Sequence, residues 1–264
     1  MEILAYLASI LIGVSLGLIG SGGSILTVPV LVYLMGINPL LATTSSLFIV
    51  GTASLAGGIR SFTKNQVDLK AIVLFGIPSV LSIFFTRHYL LPAIPDIIFS
   101  FGNLAVPKDM FLMVLFAILM LASSFSMIKG RKAEIETGIN KEYKVIPLVL
   151  LGLIIGVITG LLGAGGGFLI IPALILFLKL PMKKAVGTSL IIITINSLSG
   201  FLFSLNQFVY PWTIMLIFTA MSVAGIFVGS KLAEKFSGAR LKKGFGWFVL
   251  IMGIYIILKE LFIK

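Results

Sequence analysis

The chain has no cysteine, a single histidine and only nine acidic residues in 264. Without cysteine there is no disulfide, no thiolate metal site and no cysteine nucleophile. One histidine, His88, cannot build an imidazole metal site; it stands beside Arg87 at the end of an apolar segment and reads as an interfacial residue. Charge is scarce as well: 11% of residues are charged, against roughly 25% in an ordinary soluble domain. In their place the chain is 59% hydrophobic, with a mean hydropathy of +1.18. Such a sequence cannot cover a water-soluble surface, so an integral membrane protein is expected, with no room for a separate soluble domain. The net charge of +11 is read as Lys and Arg gathered in cytoplasmic loops, and nucleic acid is not an expected partner.

Ten apolar segments follow one another, at about 3–19, 25–36, 43–59, 69–91, 110–128, 145–162, 168–178, 185–205, 211–230 and 244–258. The first has a signal peptide's length, but Glu2 replaces the basic start and no small-residue cleavage site follows. It is therefore read as a retained span. Eight segments approach the length needed to cross a roughly 30 Å hydrocarbon core at 1.5 Å per residue. The segments 25–36 and 168–178 are short. The expected class is an all-α, polytopic membrane protein. All nine carboxylates fall outside or at the margins of the segments, which leaves none at mid-membrane for a proton relay or a divalent cation.

Each short segment follows a glycine-rich break, and the two breaks repeat each other. Gly13, Gly17, Gly20, Gly22 and Gly23, followed by Pro29, correspond to Gly156, Gly160, Gly163, Gly165 and Gly166, followed by Pro172, at an offset of 143 residues. The register continues from Ser45-Ser46-Leu47 to Thr188-Ser189-Leu190 and from Ser54, Leu55 and Gly57 to Ser197, Leu198 and Gly200. Matching interruptions in two halves of an apolar chain are the mark of a transporter built from repeats, with its site at the breaks.

Loop charge orients the halves. If all ten segments cross with the N-terminus outside, sixteen of the twenty Lys and Arg residues lie in the inside loops 60–70, 129–144, 179–184 and 231–243, leaving Arg87, Lys108, Lys259 and Lys264 outside. Corresponding loops carry opposite bias: 36–42 has no charge where 179–184 has three lysines, and 60–70 has three basic residues where 203–210 has none. By the positive-inside rule this implies two five-segment repeats of inverted topology, residues 1–128 and 145–264, joined by a cytoplasmic linker, 129–144. Both termini are expected outside the cytoplasmic membrane.

The doubled glycine motif with its downstream proline, the Thr188-Ser189-Leu190 and Ser45-Ser46-Leu47 pair and the repeat lengths resemble the sulfite exporter TauE/SafE family over essentially the whole chain. The resemblance implies a membrane permease exporting sulfite, sulfoacetate or a related organosulfur anion. It also implies about eight spans where the segments number ten, the two short ones making the difference. Residues around 92–108, with Pro92, Pro95 and Pro107, depart from the pattern and are expected to form an external loop.

An anion can be held by the backbone N–H groups at a helix N-terminus, and glycine lets it approach closely. The expected substrate-binding residues are Gly20, Ser21, Gly22, Gly23 and Ser24 before one short helix and Gly163, Gly165, Gly166 and Gly167 before the other. Thr44, Ser45, Ser46, Thr188, Ser189 and Asn196 are added as hydroxyl or amide donors. Inverted symmetry would aim the two helix tips at one midplane point. The Ser and Thr hydroxyls could equally bond back to their own helices. Gly13, Gly17, Gly156 and Gly160 read first as close helix packing, Pro29 and Pro172 as kinks, and Tyr210 and Trp212 as interface anchors. Arg60 reads as an anchor or as an attractor of cytoplasmic anions.

The expected function is a secondary transporter exporting a small anion by alternating access, with no cofactor, no metal and no catalytic residue. The expected partners are the anion and the lipid bilayer, and a homo-oligomer is left open. A non-transporting scaffold and an anion channel are the alternatives. An intramembrane hydrolase built on Ser21 lacks a nearby general base.

Overall fold

The computed structural model describes residues 2–20, 23–101, 104–129, 145–233 and 238–262. The expected linker lies almost wholly outside the described residues, as do Ser21 and Gly22. The helices are α1 (Glu2–Ile19), α2 (Ser24–Tyr33), α3 (Pro39–Thr63), α4 (Leu69–Ala93), α5 (Lys108–Ile128), α6 (Val145–Leu162), α7 (Gly167–Leu178), α8 (Met182–Phe203), α9 (Trp212–Leu232) and α10 (Gly238–Phe262). Each matches one apolar segment of the sequence. Among the described residues, six helices are long and apolar enough to cross a membrane: α3, α4, α5, α6, α8 and α9. The protein is all-α and multi-pass.

Local chemistry sets the helix boundaries. Asn38 caps α3 by accepting from the Leu40 N–H at 2.9 Å, with Pro39 at the first helical position, where its missing N–H costs nothing. Asp68 caps α4 by accepting from the Ala71 N–H at 3.1 Å. Residues 92–108, expected as a loop, contain an antiparallel hairpin of β1 (Ile97–Phe101) and β2 (Leu104–Pro107). The Lys108 ammonium ties it back by donating to the carbonyls at the end of α4, Leu91 and Ile94.

The surface is apolar and much of the interior is polar. Ile146, Leu150, Leu202 and Phe85 are each more than half exposed, while Ser54, Ser197, Thr159 and Asn196 are fully buried. Where lipid replaces water, apolar burial no longer drives helices together, and small residues that allow close backbone approach do. A methyl group at Gly13 would lie 2.0 Å from the Ser222 carbonyl oxygen, one at Gly17 2.4 Å from that of Ile226, and one at Gly156 2.4 Å from that of Ser79. These glycines serve close helix packing, the first of the two readings of the sequence.

The helix partners cross between the halves. α1 packs on α9, α4 on α6, α3 on α8 and α5 on α10, and α2 touches α7. The contacts repeat at the sequence offset with the halves exchanged. Gly13 meets Ser222 as Gly156 meets Ser79; Gly57 meets Leu190 and Ile226 as Gly200 meets Leu47 and Ile83. α3 and α8 run antiparallel, since Gly51 lies against Leu198 and Gly58 against Ile191.

One end of the bundle gathers the basic connections. Gly187, near the start of α8, packs against the Gln66 carbonyl, and Arg60 near the end of α3 donates to Ser230 near the end of α9. Lys64, Lys70, Lys179, Lys183, Lys184 and Lys231 belong to these same connections.

Candidate functional site

The two breaks are built alike but are not identical. Gly20 has φ +78° and its counterpart Gly163 φ +67°, both in the left-handed region that glycine enters without a side-chain penalty. The second break continues left-handed through Gly165 and Gly166. In the first, Gly23 is right-handed, at φ −66°. Gly23 and Gly166 are the N-caps of α2 and α7, and neither supplies a side-chain acceptor. The positive end of each short helix therefore opens onto the break without a cap from its own first residue. Residues 23–31 and 162–167 are buried, so non-helical backbone stays inside protein, as it must at membrane depth.

Each break is completed by the other half. Ser46 of α3 donates to the Gly163 carbonyl, and Ser189 of α8 donates to the Gly20 carbonyl at 3.2 Å. A methyl group at Gly163 would fall 2.0 Å from the Thr43 carbonyl oxygen; one at Gly20 would fall 2.6 Å from the Val186 side chain. The second break also lies on the crossing of the long helices: a methyl at Gly165 would be 2.8 Å from Ser197 Oγ on α8 and 3.3 Å from Val50 on α3.

Of the expected donors, Ser46 is brought to Gly163 and Ser189 to Gly20. The structure also separates donors in use from donors to spare. Ser46 and Ser189 bond back to their own helices as well, through the carbonyls of Thr43 and Val186. Thr44 bonds back to the Leu40 carbonyl at 3.3 Å, and Thr188 accepts from the Asp68 N–H at 2.9 Å. Ser45, Ser54, Thr159, Ser197 and both amide atoms of Asn196 have no hydrogen-bond partner among the described residues. Buried polar atoms normally find one; of these, Ser197 lies against Gly165 and Thr159 against Gly166, at the second break.

Arg87, counted from the sequence only among the cations on the outer side, is fully buried. Thr86–Leu90 forms a π-helical turn within α4, closed by the Leu91 N–H donating to the Thr86 carbonyl. Such a turn shifts the phase of the following side chains and is frequent at functional sites. Arg87 Nη1 donates to Thr44 Oγ1 at 2.8 Å. The neighbouring Thr86 packs against Gly160, where a methyl group would be 2.7 Å from its Cβ. His88, by contrast, is exposed and stacked on Phe84. Among the described residues no group of His, Asp and Glu could hold a metal ion.

Comparison with known proteins places this architecture. The chain is 31% identical over 255 residues to a probable membrane transporter protein of Xylella fastidiosa strain 9a5c, covering 94% of this chain and 91% of that protein. It is 26% identical to a probable membrane transporter protein of Methanocaldococcus jannaschii, covering 94% of each. It is 27% identical to the probable membrane transporter protein YunE of Bacillus subtilis, covering 91% of this chain and 89% of that one. No solved structure matches. The family model for the sulfite exporter TauE/SafE matches residues 5–256, and the chain belongs to that family of membrane transporters.

Proposed function

We propose that the protein exports a small anion, such as sulfite or an organosulfonate like sulfoacetate, across the cytoplasmic membrane by alternating access. One observation carries the reading: two buried glycine breaks, each opening the N-terminus of a short helix and each closed by a serine from the opposite half. A pair of positive helix ends in a water-excluded site attracts an anion without an acidic residue or a metal.

The two halves form an inverted-topology pair in this reading. Support comes from the antiparallel packing of the corresponding helices α3 and α8 and from contacts that exchange at the 143-residue offset. The gathering of Arg60, Lys64, Lys70 and Lys179–Lys184 connections at one end of the bundle supports a cytoplasmic location for that end. Rocking of one half against the other would expose the site alternately to each side. An inside-negative potential drives an anion outward by about 2.3 kcal/mol per charge per 100 mV, so export needs no coupled ion.

The test is transport of labelled sulfite and sulfoacetate in inverted membrane vesicles and in proteoliposomes under an imposed potential. Saturable, potential-driven flux is expected. Potential-independent leakage, or no flux of either anion, overturns the proposal.

A further inference from the structure

Arg87 is the unusual charge of this molecule. Its side chain is fully buried within a helix long and apolar enough to span a membrane. A buried guanidinium is costly unless its donors and its charge are met, and an ionisable residue at such a position marks function more often than packing. Nη1 is met by Thr44. Nε and Nη2 have no partner among the described residues.

The open pair is chemically specific. Nε and Nη2 share the edge of the guanidinium that presents two parallel N–H bonds. Carboxylates, sulfonates and phosphates accept that fork with two oxygens at once. Among the described residues no carboxylate compensates Arg87; the ionisable group acting on it is the phenol of Tyr210. Tyr210 donates its hydroxyl to the Ser204 carbonyl at 2.6 Å. Burial raises that phenol above the usual tyrosine value, although the Arg87 charge pulls the other way, so it stays neutral near pH 7 and supplies no counter-charge.

The location joins this fork to the second glycine break. Thr44, which holds Nη1, follows Thr43, whose carbonyl seats Gly163. Ser46, two residues on, bonds the Gly163 carbonyl. Thr86, one residue before Arg87, packs on Gly160. The equivalent of Arg87 in the other half is Ser230, and there the guanidinium arrives from a different helix, as Arg60 of α3 bonded to Ser230.

We propose that Arg87 is the specificity-determining contact of the site, its Nε–H and Nη2–H gripping two oxygens of a small oxyanion at the second glycine break. The inference rests on the anion-transport reading above and deepens it. It selects sulfite and sulfonates, which offer two acceptors to the fork, over spherical halides, which offer one centre.

The experiment compares wild type, Arg87→Lys and Thr44→Val, purified in detergent, by thermal stabilisation with graded sulfite, sulfoacetate and chloride. Wild type is expected to prefer one of the two sulfur anions over chloride by ~10-fold or more, since a forked pair is worth more than a point contact. Arg87→Lys keeps the charge and loses the fork; its preference should collapse to within about 2-fold. Thr44→Val keeps the fork but loses its tether, and should bind the preferred anion ~3-fold or more weakly, the net worth of one hydrogen bond. A merely structural arginine would lower the melting temperature of Arg87→Lys without changing the ratio between anions, and that result overturns the proposal. If Arg87→Lys does not fold, Thr44→Val decides: unchanged affinity overturns it equally. A wild type that binds and transports neither sulfur anion overturns the transport reading and this inference together, whereas a selective wild type with an equally selective Arg87→Lys overturns this inference alone.

Discussion

The hydroxyl of Ser189 on α8 is bonded to the carbonyl of Gly20 at the end of α1, and Ser46 on α3 makes the corresponding bond to Gly163. Each break carbonyl is thus satisfied by a helix from the opposite half of the chain. A buried hydrogen bond contributes about 0.5–1.5 kcal/mol net, and an acceptor left unpaired costs more. Ser46→Ala and Ser189→Ala should each destabilise the protein by ~1–2 kcal/mol, and thermal unfolding in detergent should show a similar loss for both. A loss confined to one of them would mean that the two breaks bear different loads.

Gly163→Ala should be far more damaging than either serine substitution. The added methyl would meet the Thr43 carbonyl at 2.0 Å, and the left-handed φ adds ~1–2 kcal/mol of strain. A loss above ~4 kcal/mol is expected, seen as poor monodisperse yield or a much lower melting temperature. Gly76→Ala in α4 is the control: its methyl would meet only the Ile72 side chain, at 3.9 Å. A neutral effect, or stabilisation up to ~1 kcal/mol, is expected there.

Tyr33 at the end of α2 donates to the carboxylate of Glu260 on α10 at 2.9 Å, with the Lys259 ammonium 4.3 Å from the centre of the Tyr33 ring. Tyr33→Phe and Glu260→Gln should be non-additive. A double-mutant cycle on the melting temperature should return a coupling of ~1 kcal/mol. Full additivity would mean that the bond carries no net stabilisation.

The natural absence of cysteine allows the orientation to be measured directly. Lys64→Cys and Val209→Cys, at opposite ends of the bundle and both exposed, should react with a membrane-impermeant maleimide from opposite sides of intact cells. Val209→Cys is expected to label from outside and Lys64→Cys only after permeabilisation. Labelling of both from one side would remove the proposed topology.

The helices and both breaks were legible in the sequence because bilayer thickness imposes a length on apolar runs and because paired glycines interrupt them. The glycine packing partners were less so: nothing near Gly13 identifies Ser222, and only the 143-residue offset ties that contact to the one between Gly156 and Ser79. The hairpin was missed although it had a signal, Ile97-Ile98-Phe99 and Leu104-Ala105-Val106 on either side of Gly102-Asn103, a turn dipeptide between strand-forming residues. The burial of Arg87 was not legible, because the count of loop charges that placed it on the outer side says nothing of what its side chain packs against. The π-helical turn that accompanies its burial has no periodic signature. Among the hydroxyls, sequence could not separate Ser45, which is unpartnered, from Thr44 and Ser46, which are not, since that depends on which carbonyl each helix turn happens to offer.

Because α1 packs against α9, its mate is made only after about two hundred further residues. Until then the face bearing Gly13 and Gly17 waits in the membrane without its partner. A chain in which α9 is not yet made leaves that small-residue face open to mispairing. A premature stop before α9 would leave a fragment that inserts but cannot close.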